Sequence, residues 1–226
     1  MLICCWSVKG GSGTSVVAAS LSVVLAKRDP DGALFVDLDG DGPALFGASD
    51  DAALPGVADW LRSGDDGPSD GLSRLERPLS RQLAILPRGV GAFVSPQRWD
   101  VLAALLDADK RPVVVDCGQI NDACGGRRPL TADLAARGVR SLLVVRPCYL
   151  ALRRVASLPL RPSGVVLVVD PGRALNRGDV EAVVGAPVVA ELPVDPAVAR
   201  SVDAGLLASR PPRSMTRGLR DLVRTL

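Results

Sequence analysis

A glycine-rich run near the start of the chain has the composition of a phosphate-binding loop. The run KGGSGTS follows the apolar segment 2–6 and leads into the Ala- and Val-rich segment 14–27. Glycines let backbone N–H groups approach an anion closely, and the N-terminus of a helix adds the positive end of its dipole. The order of strand, glycine turn and helix therefore predicts a cradle for the phosphates of a nucleotide. Its residues are Gly10, Gly11, Ser12, Gly13, Thr14 and Ser15.

The run departs from the common phosphate-loop pattern GxxxxGK[ST] at two positions. Val8 stands at the first glycine and Thr14 at the lysine, whereas Ser15 keeps the hydroxyl that binds Mg²⁺ in such loops. Lys9 adds a cation just upstream, in a chain with few lysines and many arginines, which favours a specific use of a compact ammonium there. Two other interpretations stay open, an ordinary glycine-rich turn and a loop that keeps its fold but binds nothing.

Carboxylates follow the second apolar run of the chain. The segment 33–47 reads ALFVDLDGDGPALFG, with Asp37, Asp39 and Asp41 alternating where the strand would end. A calcium loop is disfavoured because the later bidentate glutamate of such loops is missing. Helix capping or a solvated loop is a further interpretation of these carboxylates.

A third acidic position ends another apolar run. The segment 111–118 reads RPVVVDCG, so that three valines lead to Asp116 at the tip of a strand. This is the Walker B pattern, in which the aspartate binds magnesium through water. A buried strand can also end in aspartate without any metal, so the position gains weight only from the first two blocks.

These blocks together resemble a known family. KGGSGTS is similar to the deviant Walker A loop, KGGxGK[ST], of the MinD/ParA/nitrogenase-iron-protein class of P-loop ATPases. The small residue in place of the second lysine, and the PALFG ending of the second block, resemble the CpaE/TadZ branch. Members of that branch position tight-adherence pilus and secretion machinery. The resemblance extends over residues 1 to about 210 and is strongest in the first two blocks.

The resemblance implies roles for individual residues, with ATP and Mg²⁺ as cofactors. Lys9 would reach across an ATP-sandwiched homodimer to the phosphates of the partner. Asp37 would lie at the magnesium shell and Asp39 would orient the attacking water, while Pro193 would approach the adenine. Asp170 stands where relatives carry an asparagine that reads the base. A carboxylate can accept from the adenine amino group but cannot donate to a ring nitrogen.

Apolar runs alternate with segments of helical periodicity along the chain. The expected strands are 2–6, 33–37, 83–86, 112–116, 141–145, 164–169 and 187–191, and the expected helices are 14–27, 56–63, 96–108, 131–137, 149–157, 177–184 and 197–207. This alternation predicts one domain over residues 1–226, an α/β fold with a doubly wound, mainly parallel sheet of about seven strands and helices on both faces. The segments 64–81, 117–129 and 209–214 are rich in turn residues and predict breaks.

The amino-acid composition excludes several kinds of functional site. Apolar residues reach 47 % and aromatics only 3 %, so Val, Ala and Leu must pack the core. The chain has no histidine, which excludes histidine catalysis and histidine metal ligands. The five cysteines form no CxxC pair and read as reduced thiols, and a shared metal cluster on Cys117 and Cys124 is not expected. With no signal peptide and no apolar stretch that could span a membrane, we expect a cytoplasmic protein.

Two surface features suggest partners. Arg146, Arg153, Arg154 and Arg161 could form a basic face, but with a net charge of +2 DNA is not expected as a partner. In the segment 214–226 apolar residues recur at helical spacing and arginines face elsewhere. This pattern favours a terminal helix packed on the sheet, and it also permits a peripheral membrane contact.

Three functions are compatible with the sequence. The favoured one is an ATP-dependent dimeric positioning protein that recruits or localises a pilus, secretion or cell-division apparatus from the cytoplasm, at the inner membrane or pole. Its hydrolysis should be weak or absent, because Thr14 leaves less positive charge to stabilise the transition state. The second is a pseudo-ATPase scaffold that no longer binds nucleotide. The third, an active ATPase working on DNA or a septum, is disfavoured by Thr14.

Overall fold

The strands form one sheet whose order decides which loops meet. The computed structural model describes residues 1–47, 54–64, 70–93, 96–121 and 130–225. Within these residues the strands are β1 (Leu2–Ser7), β2 (Ala33–Asp37), β3 (Arg77–Pro78), β4 (Leu83–Leu86), β5 (Val113–Gln119), β6 (Arg140–Val145), β7 (Gly164–Val169) and β8 (Val188–Pro193). Their spatial order is β3-β4-β2-β5-β1-β6-β7-β8. All neighbours are parallel except β3 and β4, so the predicted doubly wound, mainly parallel sheet is confirmed.

Helices cover both faces of this sheet. They are α1 (Thr14–Ala26), α2 (Gly42–Leu45), α3 (Val57–Arg62), α4 (Pro96–Asp107), α5 (Leu130–Arg137), α6 (Tyr149–Ser157), α7 (Arg177–Val184), α8 (Pro196–Asp203) and α9 (Arg213–Thr225). One core cluster joins the sheet to α3, α4, α5, α6 and α7. The other joins the opposite face to α1, α2 and α9.

The central strands are apolar along their whole length because both of their faces are covered. In β1, Ile3 and Cys5 enter one cluster while Cys4 and Trp6 enter the other, and all four side chains are fully buried. Helix α1 is buried on most of its surface, which suits its sequence of Ala, Val, Ser and Leu. The phosphate loop is therefore anchored by two elements in the centre of the molecule.

The structure adds elements that the periodicity does not predict. Strand β3 is a two-residue antiparallel strand within 64–81, where we expected a break. It lies at the edge of the sheet, where a proline without an N–H group is tolerated. Helix α2 is a single turn in the loop after β2. Strand β5 continues past the expected end at Asp116 to Gln119, which pairs with Ser7 across a register shift. Residues 65–69 and 122–129, with Cys124, lie outside the described residues.

The C-terminal segment packs on the sheet rather than standing apart. Met215, Leu219, Leu222 and Val223 of α9 are all buried in the core cluster that contains α1. The favoured interpretation of this segment, a terminal helix packed on the sheet, agrees with this position. Among the helices in the described parts of the chain, none is long and apolar enough to cross a membrane.

Candidate functional site

The loop between β1 and α1 keeps its backbone N–H groups unpaired. Within the described parts of the chain, no group accepts a hydrogen bond from the N–H groups of residues 10–13. Gly11 and Gly13 adopt φ angles of 74° and 89°, a region that side chains with a Cβ rarely enter. The Ser12 hydroxyl donates to the Lys9 carbonyl at 2.7 Å and closes the turn. The loop thus presents several free donors at the N-terminus of a buried helix, the arrangement that binds anions.

The charge on this loop comes from Lys9 alone. The Lys9 side chain is exposed and makes no ion pair with any described residue. Thr14, at the lysine position of the common pattern, is 7 % exposed and brings only a short hydroxyl. The Val8 carbonyl accepts from Arg154 Nη1 at 3.3 Å and from Gln119 Nε2 at 3.4 Å. The start of the loop is therefore tied to α6 and β5, while the first turn of α1 carries no cation.

Asp116 is a buried carboxylate with a free oxygen. Its residue lies opposite Asp37 in the register of β2 and β5 and is completely buried. Oδ1 accepts the Gly118 N–H at 3.0 Å, whereas no described residue completes a hydrogen bond to Oδ2. Burial raises the pKa of Asp116 to about 7, and the nearby carboxylates of Asp37 and Asp39 add to the rise. An unpaired buried carboxylate oxygen is costly, so this position is built to receive a cation or a donor.

Ser15 lies between this carboxylate and a second one. Its hydroxyl is close enough to lower the pKa of both Asp39 and Asp116. Burial nevertheless raises the pKa of Asp39 overall, with Asp41 adding to the rise and the Arg88 guanidinium opposing it. Gly118, at a φ of 64°, is required beside them, because a Cβ there would collide with Asp39 Oδ1. The predicted residues Ser15, Asp39 and Asp116 therefore share one site.

Asp37 is committed to the shape of its own loop. Its Oδ1 accepts the N–H groups of Asp39 and Gly40 at 3.0 and 2.7 Å, and its Oδ2 accepts the Gly42 N–H at 2.9 Å. Burial still raises its pKa, although these three N–H groups oppose the rise. Asp37 thus holds the turn that presents Asp39, and its contact with a magnesium shell stays a prediction.

The residues at this site fit a magnesium ion that also has phosphate and water ligands. Hard divalent cations take oxygen ligands, and the Ser15 hydroxyl and Asp116 Oδ2 are oxygens with free lone pairs. In the described residues there is no group of three or more His, Cys, Asp or Glu side chains that could hold a metal alone. Ser15 and Asp116 would leave most positions around a magnesium ion to phosphate and water ligands.

An apolar pocket of about 290 Å³ opens on the other side of the loop, toward β7 and β8. Among the described residues, it is lined by Gly13, Val16, Val17, Arg146, Val168, Leu192, Pro193, Val194, Asp195, Val198, Ala199, Val202, Asp203 and Met215. Ligand pockets of this kind are mainly apolar with a few placed polar groups. Gly13, the last of the loop residues with an unpaired N–H, lines this pocket, so the pocket adjoins the loop.

The two residues predicted to approach the base differ in their placement. Pro193 lines the pocket, and its approach to an adenine stays a prediction. Asp170 is not among the described lining residues, and it forms an ion pair with Arg173 at 3.2 Å. Its contact with a nucleotide stays a prediction that requires Asp170 to exchange this partner.

Several arginines reach the site without any motif that would reveal them. Arg88, after β4, donates to the Leu38 carbonyl at 2.6 Å and acts on Asp39. Arg154 contacts the loop at Val8, and Arg146 lines the apolar pocket. The only signal in the sequence is that Arg88 and Arg146 come shortly after apolar runs. That signal is weak, because the order of the strands in the sheet decides which strand ends lie beside the loop.

Comparison by sequence finds no relative for this chain. No protein-family model matches it, and no curated protein matches it.

Comparison by structure gives matches over the whole chain. A ParA family ATPase from Chlorobium tepidum TLS superposes with a TM-score of 0.75 at 19 % identity, covering 100 % of this chain and 99 % of the other. A chain of the MinC:MinD cell division protein complex of Aquifex aeolicus gives 0.76 at 17 %, covering 99 % and 96 %. The septum site-determining protein MinD from Pyrococcus horikoshii OT3, complexed with Mg-ADP, gives 0.73 at 21 %, covering 100 % and 96 %. The chain thus has the fold of the ParA and MinD ATPases.

Proposed function

We propose that this protein is a nucleotide-switched positioning protein of the MinD/ParA type that binds ATP with Mg²⁺. One observation carries the proposal. Next to a loop of unpaired N–H groups, the Ser15 hydroxyl lies beside two carboxylates, and Asp116 Oδ2 has no hydrogen-bond partner among the described residues. A scaffold that had lost its ligand would gain nothing from keeping a costly buried carboxylate at this place.

The residues of the loop divide the work of binding. The N–H groups of residues 10–13 would hold the phosphates, and Ser15 and Asp116 would hold the metal, Asp116 through water. Magnesium, when bound, neutralises phosphate charge and fixes the orientation of the phosphates. The pocket at Pro193 would receive the base. Binding of a nucleotide with magnesium is supported by a MinD of the same fold that is complexed with Mg-ADP.

Hydrolysis should be slow for a reason that lies in α1. In this proposal Asp39 orients the attacking water, and the Arg88 guanidinium keeps a positive charge near this carboxylate. The position of Thr14 brings no charge to offset what develops in the transition state. Lys9 is exposed and makes no ion pair with any described residue, so a homodimer formed over ATP would add a cation from the second copy.

The dimer would carry the positioning role. Of the proteins with this fold, the Aquifex MinD is found in a complex with MinC, a protein partner. Following the CpaE/TadZ-like sequence features, we propose that this chain recruits a pilus, secretion or cell-division apparatus from the cytoplasm. A membrane contact through residues 214–226 would use the arginine side of α9, because the apolar side is buried on the sheet.

A non-catalytic scaffold is the second candidate function. The observation in its favour is Thr14, since the first turn of α1 lacks the cation that common phosphate loops place there. In this alternative the fold would serve only as a dimerisation and partner-binding surface.

Calorimetry with Mg-ATP separates the two candidates. The switch predicts binding by the wild type, and in Ser15→Ala it predicts at least about a tenfold loss of Mg-ATP affinity, because a ligand oxygen is removed. Binding of ATP in EDTA should not change in this variant. Ser22→Ala is the matched control, because Ser22 lies buried in the same helix and donates only to the Ala19 carbonyl. Absence of binding by the wild type at millimolar Mg-ATP would leave the scaffold.

A further inference from the structure

Arg146 is a guanidinium placed at the phosphate loop without a protein partner. It follows β6 directly, and β6 is paired in parallel with β1, so its backbone ends at the same edge of the sheet as the loop. Its side chain lines the apolar pocket together with Gly13 and Val17. The Nε atom is buried and has no hydrogen-bond partner, and Arg146 makes no ion pair within the described residues.

A comparison with Arg98 shows that this situation needs an explanation. Arg98 also has a buried Nε without a partner, but its guanidinium lies over the Trp60 ring at 4.0 Å, so a cation–π contact stabilises it. Arg146 has no aromatic ring against it in the described residues. Arg146 is only partly buried, but its buried Nε donor is left unpaired by the described residues. An unpaired buried donor destabilises a protein, so the position favours a ligand that pairs with it.

The acidic residues of the pocket do not neutralise Arg146. Asp195 Oδ1 accepts the Ala197 N–H at 2.8 Å, and its Oδ2 accepts the Ser214 hydroxyl at 2.6 Å. Both oxygens are therefore used to start α8 and to hold α9. Asp203, at the other end of α8, is exposed. Among the described residues that line the pocket, Arg146 is the one cation.

We propose that Arg146 supplies to the nucleotide phosphates the positive charge that is lost at Thr14. The inference rests on the proposed ATP binding and names the residue that makes it possible without the usual lysine. Two features meet here: position 14 of an anion-binding loop carries no cation, and a partly buried guanidinium has a buried Nε without an acceptor among the described residues. An arginine suits the task, since its planar fork can donate two hydrogen bonds to phosphate oxygens. The cation thus comes from the end of β6 instead of from α1.

The test is a calorimetric cycle on positions 14 and 146. Arg146→Gln should lower Mg-ATP affinity by about 10- to 100-fold, the effect of losing hydrogen bonds to a charged group. Adenosine, which has no phosphate, should bind to this variant as it binds to the wild type. Thr14→Lys in the Arg146→Gln background should restore most of the ATP affinity, because it returns the lysine of the common loop. Arg153→Gln, on the exposed part of α6, is the matched control and should bind like the wild type.

Each contrary result has a distinct meaning. Equal ATP affinity of Arg146→Gln and wild type would overturn the inference and leave the proposed function standing. An equal loss of ATP and adenosine affinity would also overturn it, because Arg146 would then stack on the base or support the pocket. Failure of the wild type to bind Mg-ATP would remove the proposed function itself. If thermal melting shows that Arg146→Gln is unfolded, Arg146→Lys and Arg146→Met decide instead, with ATP affinity kept by the first and lost by the second.

Discussion

The two sides of the phosphate loop are built from different chemistry. Toward β2 and β5 lie a hydroxyl and two carboxylates, those of Ser15, Asp39 and Asp116, and burial raises the pKa of both acids. Toward β7 and β8 lies a pocket of valines and other apolar groups, in which Arg146 is the cation among the described lining residues. The first side holds carboxylates at defined positions, and the second side is a mainly apolar pocket.

This difference shows which parts of such a site can vary. Metal and phosphate chemistry demands particular oxygen and N–H groups at particular places, so the residue types on the first side are dictated. A base can lie on many combinations of apolar side chains, so the second side can change freely. Asp170, which differs from the asparagine that the resemblance implies, follows β7 of this second side.

The largest effect should come from removing the buried charge on the first side, with Asp116→Asn. The pKa of Asp116 rises from 3.8 to about 7 on folding, so the folded state binds its proton more tightly than the unfolded state. This contribution to the free energy of unfolding is full below pH 3.8 and is lost as the pH rises toward about 7. Without ligands, the variant should be more stable than wild type at pH 8 by up to about 4 kcal/mol, with a flatter pH dependence.

Urea unfolding at pH 5 and pH 8 measures this effect. With Mg-ATP present, the wild type should become more stable than Asp116→Asn, because the ligand should stabilise the wild type and have little effect on the variant. Asp203→Asn serves as the control, because Asp203 is exposed and its charge should matter little at either pH. Equal pH dependence in wild type and Asp116→Asn would show that the burial of this carboxylate does not matter for stability.

A smaller effect should come from the apolar side, with Val194→Asp. Val194 lines the pocket and is 42 % exposed, so the substitution adds a carboxylate near the phosphates and removes apolar contact with the base. We expect Mg-ATP affinity to fall by about tenfold, the scale of a lost apolar contact together with charge repulsion. Val183→Asp is closely matched at 44 % exposure and lies on α7, outside the pocket lining. Equal affinity of the two variants would place the base elsewhere.

The sequence predicts the fold well because the core strands are uniform apolar runs. Three expected strands, β2, β4 and β7, have the bounds seen in the structure, and so do the helices α6 and α7. Each is bounded by turn residues or charges that end the apolar pattern. Strand β3 escaped prediction, since its two residues form a strand only by pairing with β4.

The candidate site is predictable only in part for a related reason. The glycine run, Ser15, Asp39 and Asp116 are recognisable because their types and spacing serve one chemistry, and the structure brings them together. That Asp37 shapes a loop depends on three backbone N–H groups whose positions no pattern gives. Likewise, the place of Arg146 beside the loop depends on β6 lying next to β1, which is a property of the sheet order.

The central claim is a switch, and the molecular mass in the presence of Mg-ATP tests it most directly. Light scattering should show the 23.5 kDa chain doubling in mass when Mg-ATP is added to the wild type. Lys9→Ala should stay a monomer, because it lacks the exposed cation that reaches the partner's phosphates, whereas Lys27→Ala, an exposed lysine just after α1, should dimerise like the wild type. A wild type whose mass ignores ATP, or a Lys9→Ala variant that dimerises as well as wild type, would contradict the account.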